Sequence, residues 1–118
     1  MKIEVKSSDY LQSWRQKQLS TISFSGLITS RWDAESGRKF GPFVVADAYV
    51  FSVQTRKDPA HYDPLSVESW DFYVIAGSRI RELNQKSMRL STVRRHAGSA
   101  VVWDELRDAI HSAIAAAG

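Results

Sequence analysis

The sequence predicts an α/β domain, with α+β as the near alternative, built on a mixed sheet of four to five strands flanked by helices. Two apolar runs carry the sheet. Residues 43–55 hold Val44, Val45, Ala46, Ala48, Tyr49, Val50, Phe51 and Val53, β-formers on both faces, and so predict a central strand covered on each side. Residues 70–76, Trp-Asp-Phe-Tyr-Val-Ile-Ala ahead of Gly77, predict a second buried strand. The third observation is the closing stretch 103–117. There Leu106, Ala109, Ile110, Ala113 and Ile114 recur at helical spacing, and Asp104 and Glu105 favour the first turn of the helix.

The other elements follow in chain order. Residues 2–7 alternate, with Ile3 and Val5 on one face and Glu4 and Lys6 on the other, the period of a half-buried strand whose apolar pair points inward. Ser7 or Ser8 is suited to cap a short helix that carries Asp9 in its first turn and Leu11, Trp14 and Gln18 or Leu19 along one side. Residues 22–25 alternate up to Gly26 and predict a further strand, whereas the Gly, Ser and charged residues of 31–41 predict an exposed loop. Residues 55–66 contain two Asp-Pro pairs and read as a loop. Residues 78–83 suit a short helix, 86–91 a strand or extended segment, and 91–95 fit neither period. With no internal repeat, low-complexity tract or linker, residues 1–118 read as a single domain.

Composition excludes several classes of function. The 118 residues include no cysteine, which removes thiolate nucleophiles, iron–sulfur clusters and cysteine zinc sites. His61, His96 and His111 are scattered without ligand spacing. The glycines form no phosphate-cradling loop. No run of about 18 apolar residues is present, so no membrane span is expected. The start Met1-Lys2-Ile3-Glu4 is unlike a secretory leader, and a reducing cytoplasm is the expected location. Net charge is only +3, but it is uneven. Residues 77–96 carry Arg79, Arg81, Lys86, Arg89, Arg94 and Arg95 against the single acid Glu82, a window of +5. Such a window is either a solvated surface or a docking patch for a polyanion.

The residues with the most chemical content are Glu4 and Lys6. A carboxylate and an ammonium two residues apart on one strand face suit phosphoryl transfer, the carboxylate holding a divalent cation and the lysine orienting a water or stabilising developing charge. The plain alternative is a cross-face charge pair on an edge strand. Asp47 interrupts an apolar strand, and a buried carboxylate needs a reason. It is a candidate second metal ligand, or else it accepts hydrogen bonds from a loop or pairs with an arginine. Gln12 and Gln16 lie four apart on one helix face, suited to phosphate or water near Glu4, or simply solvated. Core packing is the expected role of Trp70, Tyr73 and Trp103, while Trp32, in a polar loop, is the aromatic suited to touch a partner. His96 beside Arg94 and Arg95 either joins a phosphate-binding patch or is merely exposed.

The run Ile3-Glu4-Val5-Lys6-Ser7-Ser8 followed by Tyr10-Leu11-Gln12-Ser13-Trp14 resembles the second half of the PD-(D/E)xK nuclease core, and within that superfamily an uncharacterised bacterial group. The resemblance extends over Trp32-Asp33-Ala34-Glu35-Ser36-Gly37, Ala46-Asp47-Ala48-Tyr49-Val50-Phe51, Trp70-Asp71-Phe72-Tyr73-Val74 and Gln85-Lys86-Ser87-Met88-Arg89-Leu90-Ser91, most of the chain. It implies a restriction-endonuclease-like core, short at its N-terminus, and hydrolysis of DNA phosphodiesters with Mg²⁺ or Mn²⁺. It also implies Glu4 and Lys6 as catalytic groups, and Glu4 and the Val5 carbonyl as metal ligands. The family pattern also has an aspartate on a hairpin strand upstream of the Glu-x-Lys strand, whereas only Met1, Lys2 and Ile3 precede Glu4 here. Three readings follow: the chain is a fragment or shortened relative, another acid such as Asp47 substitutes, or the domain no longer cuts.

Two function classes result. One is a metal-dependent nuclease-like domain whose basic window (Arg79, Arg81, Lys86, Arg89, Arg94, Arg95) steers DNA, assisted by Gln12 and Gln16. The other is a non-catalytic module of the same scaffold that binds nucleic acid or protein. A homodimer through the N-terminal edge strand is a further expectation, because unpaired edges invite pairing with another copy.

Overall fold

A computed structural model of the chain describes residues 1–11, 21–32, 34–44, 46–57, 60 and 66–117, with the side chains of 29–32 and 39–43 outside that description. Its centre is a three-stranded mixed sheet in the order β1 (Ile3–Asp9), β5 (Ala48–Gln54), β6 (Trp70–Ala76). β1 runs parallel to β5, with Ile3 beside Ala48 and Asp9 beside Gln54, and β6 runs antiparallel to β5. Two smaller antiparallel pairs accompany it, β2 (Ser23–Phe24) with β7 (Met88–Arg89) and β3 (Thr29–Trp32) with β4 (Lys39–Phe43). The helices are α1 (Gly77–Leu83), α2 (Leu90–Ala97) and α3 (Leu106–Ala117). The domain is thus mixed α/β. The expected single sheet of four to five strands is instead three strands plus two short ribbons among the described residues.

β5 is the axis of the fold because both of its faces are apolar and all seven residues are buried. Its large residues Tyr49, Phe51 and Val53 face a core closed by Ile22, Phe24 and Leu27 of the β2 segment, Ile80 of α1, Met88 of β7 and Leu90 and Val93 of α2. Phe24 meets Phe51 edge-on with ring centroids 4.9 Å apart, a favoured aromatic geometry. Its small residues Ala48, Val50 and Ser52 lie on the opposite face, where α3 packs on β6 and β5. Removing each large apolar side chain from water contributes about 1.5–3 kcal/mol, and β5 places three of them at the centre of the core cluster.

Several sequence expectations are corrected. The expected strand over 43–55 divides in two, since β4 ends at Phe43 and β5 begins at Ala48 with Asp47 in a bend before it. Asp47 is therefore exposed rather than buried inside a strand. The expected loop over 31–41 contains the β3–β4 hairpin, whose turn includes Gly37 in the left-handed region at φ +67. Ser7, Ser8 and Asp9 are the end of β1, held by the ladder to β5, and not a helix start; most of the helix expected after them lies outside the described residues. The extended segment expected at 86–91 reduces to β7, and the residues that fit neither period begin α2. Strand β6, α1 and the closing helix appear where the sequence predicts them, the last with a 3₁₀ first turn at Trp103–Glu105. Trp103 is 53% exposed and tilts against Phe72, so it is no core residue.

Candidate functional site

The parallel register decides what β1 presents. Glu4 pairs with Tyr49, Lys6 with Phe51 and Ser8 with Val53, so these three residues share the face that holds the main core. This reverses the expected orientation. Ile3 and Val5 lie on the α3 side, and Val5 is 60% exposed. The large side chains of β5 point to the Glu4–Lys6 side, and β1 follows their register regardless of its own apolar pair.

On this half-covered edge the Lys6 ammonium lies 3.2 Å from Glu4 Oε1, with the lysine 23% and the glutamate 32% exposed. A pair this open to solvent adds at most about 1 kcal/mol to stability, so its chemistry is not spent on holding the fold. Gly26, at φ +69, gives Lys6 its room: a β-carbon there would stand 3.2 Å from Nζ. Under the pair sits Tyr49, 1% exposed, whose hydroxyl donates to the Leu27 carbonyl at 3.3 Å. Burial raises the Tyr49 phenol above its ordinary range, and the charge and hydrogen bond of Glu4 push it further the same way. The phenol therefore stays protonated beside the carboxylate. Arg81 opposes the shift through its charge and donates from Nη2 to the Val44 carbonyl at 3.4 Å, which sets one member of the basic window on the Glu4 side of the sheet.

Asp47 has a different place. Its Oδ2 accepts the Lys2 N–H at 2.6 Å, its own N–H donates to the Lys2 carbonyl at 2.7 Å, and its carbonyl accepts from Gly77 at 2.7 Å. It clasps the start of β1 to the start of α1. Gly77 fits there because a β-carbon would lie 1.9 Å from the Ala46 carbonyl oxygen. Among the described residues no group of three or more His, Asp or Glu is arranged to hold a metal ion. Gln12 and Gln16 lie outside the described residues.

The basic window forms α1, β7 and α2, the layer over the same sheet face as Glu4 and Lys6. Arg79, Arg81, Arg89, Arg94 and Arg95 and Lys86 are all exposed. Arg79 pairs with Glu82 at 3.1 Å, one turn along α1. Arg94 Nε donates to the Tyr73 hydroxyl at 3.0 Å, a bond that raises its guanidinium still further into the charged range. The Lys86 carbonyl accepts from Leu27, one residue from the glycine that faces Lys6. His96 is half-buried and borders a groove with Arg79 and Glu82. Trp32 ends β3. The residues the sequence left unassigned here are Tyr49 and Gly26. Only the register and the path of the β2 segment bring them to Glu4 and Lys6, and neither carries a local signal.

No family model, curated protein or solved structure matches this chain. No helix among the described residues is long and apolar enough to cross a membrane.

Proposed function

We propose that the chain is a nuclease-like domain of the PD-(D/E)xK kind that acts on DNA phosphodiesters with Mg²⁺ or Mn²⁺. The observation that carries the reading is the Glu4–Lys6 pair, 3.2 Å apart and partly solvent-open, on the sheet face covered by the basic layer. Mg²⁺ takes hard oxygen ligands and is satisfied by one or two carboxylates completed by waters and substrate phosphates, a demand that Glu4 with the Val5 carbonyl meets in its minimal form. The ion, when bound, supplies Lewis-acid polarisation of the phosphate and an acidified water. Lys6 lies where its ammonium offsets charge developing on the phosphorane, and Tyr49, protonated, offers Glu4 a fixed neutral neighbour. Arg81 and the other exposed cations of the window supply sequence-independent attraction to the backbone.

A second reading has its own support. Asp47 spends one carboxylate oxygen on the Lys2 amide and Glu4 spends one on the Lys6 ammonium, so neither acid stands uncommitted to a metal ion. A domain so equipped serves equally as a non-catalytic module that binds nucleic acid or protein. The two readings separate on metal dependence.

The experiment is a titration with Mg²⁺ or Mn²⁺ in the presence of labelled linear and supercoiled DNA, comparing the wild type with Glu4→Ala and Lys6→Ala. The nuclease reading expects metal-dependent cleavage that both variants lose. DNA binding without cleavage, with a slope of log K against log salt of about −5 if all six cations touch phosphates, supports the binding module instead. A slope near zero points to a protein partner.

A further inference from the structure

We propose that β1 is the self-association edge of this protein, pairing antiparallel with β1 of a second copy about a two-fold axis at Val5. Among the described residues β1 is laddered to β5 alone. Its free edge can be identified by residue. The Lys2 carbonyl accepts from Asp47 on the β5 side, so by alternation Glu4, Lys6 and Ser8 direct their backbone groups to β5. Ile3, Val5 and Ser7 then direct their N–H and C=O groups outward, a row unpaired among the described residues that invites another strand.

The side chains select the register. A two-fold axis normal to the sheet keeps like faces together, so the axis must fall on a residue. Centred on Glu4 it sets Glu4 against Glu4, and centred on Lys6 it sets Lys6 against Lys6. Centred on Ser7 it sets the apolar Val5 opposite Asp9, and centred on Ile3 it leaves little of β1 in the ladder. Centred on Val5 it sets Glu4 opposite the partner's Lys6, twice by symmetry, with no like-charge pair. Those charged pairs fall at the non-hydrogen-bonded positions, where side chains approach most closely. On the other face Val5, 60% exposed, meets the partner's Val5. This strip continues through Ile3 and Met1 into an open groove against Trp103, Leu106 and Ile110 of the α3 segment. In this register the charged face is self-complementary, and on the other face Val5 meets Val5 while Ile3 falls opposite the partner's Ser7. The occupant that matches this pattern is a second copy, which joins two three-stranded sheets into one of six strands and gathers two Glu4–Lys6 pairs on one surface. In this register the Val5 carbonyl accepts from the N–H of Val5 in the second copy, so the dimer withdraws it as a metal ligand and the nuclease reading belongs to the monomer; the readout here is mass and not activity.

Sedimentation velocity over a concentration series tests it on the whole chain. The expected species at high concentration has twice the 13.3 kDa chain mass. Glu4→Lys alone and Lys6→Glu alone each replace two attractions by two repulsions and weaken dimerisation about tenfold or more. The double exchange Glu4→Lys with Lys6→Glu restores it, an outcome that general disruption of the fold does not produce. The chain has no cysteine of its own, so Val5→Cys provides an independent arm. Opposed residues in such a pair lie about 5.5 Å apart at Cα, within disulfide range, and mild oxidation is expected to link Val5→Cys into a dimer while the exposed control Ser91→Cys is linked far less. A mass that stays monomeric at all concentrations, or equal linking of the two cysteine variants, overturns the proposal.

Discussion

β5 and β1 lie side by side in one parallel ladder, seven residues each in register, and do opposite work. β5 is buried on both faces and its polar members are all satisfied. Gln54, with no exposed surface, accepts the Arg56 N–H at 3.1 Å, and at the end of the strand Thr55 donates both its N–H and its hydroxyl to the Ser69 carbonyl. Among the described residues β1 is laddered on one side alone, and its core-side face carries a partly exposed carboxylate and ammonium in contact. The difference teaches that position in the sheet, more than intrinsic preference for strand, decides which element is sealed in the core and which can carry a partly exposed charged pair. A charged pair costs little at an edge that water still reaches, whereas inside the β5 layer its desolvation would cost several kcal/mol.

The comparison breaks most visibly on core deletion. Phe51→Ala removes a fully buried ring and should destabilise the domain by about 3–5 kcal/mol, while Val5→Ala on the exposed face of β1 should change stability by no more than about 0.5 kcal/mol in dilute monomer. Urea denaturation of both variants checks it, and comparable losses would mean that β1 is as deeply anchored as β5.

The boundary between the two strands is sharpened by Tyr49, which belongs to β5 yet touches Glu4. Tyr49→Phe removes the hydroxyl that donates to Leu27 and should cost about 1 kcal/mol at neutral pH. Its folded-state phenol is raised, first by burial and then by Glu4, so the unfolded chain ionises first as pH climbs past about 10. Unfolding then releases a proton, and wild-type stability should fall from pH 10 upward, with the hydroxyl's contribution fully present and independent of pH below that range. Urea midpoints measured between pH 8 and 11 should slope downward less in Tyr49→Phe than in the wild type. Parallel curves would remove Tyr49 as the source.

The smallest effect is expected at Glu4 itself. Glu4→Gln should shift stability by less than about 1 kcal/mol, in thermal unfolding at modest salt, because the pair with Lys6 is partly exposed and screened. A larger loss would assign Glu4 to the scaffold instead of to a site.

Much of this was legible in the chain. The apolar runs marked β6, α3 and the body of β5, though not where β5 begins, because burial on two faces or on one helical stripe leaves a period that survives in sequence. The Glu-x-Lys spacing likewise placed Glu4 and Lys6 on one side of one strand. What the period did not reveal was which side. Ile3 and Val5 read as the inward pair, and they point toward α3 with Val5 exposed, because the ladder to β5 puts Glu4 and Lys6 beside Tyr49 and Phe51. Asp47 read as a strand interior because its neighbours are apolar, and it is a bend that ties Lys2 to Gly77.

The sequence by itself determined the elements with strong periods, the absence of thiol chemistry, the +5 window and the carboxylate–ammonium pair on a single strand. Tertiary structure alone decided that the window lies over the same face as that pair and that Tyr49 and Gly26 border it. The physical reason is range. Periodicity and charge spacing are written within a few residues, whereas the parallel register between residues 3 and 48, and the glycine that makes room for Lys6, are contacts across tens of residues that depend on how the whole core closes.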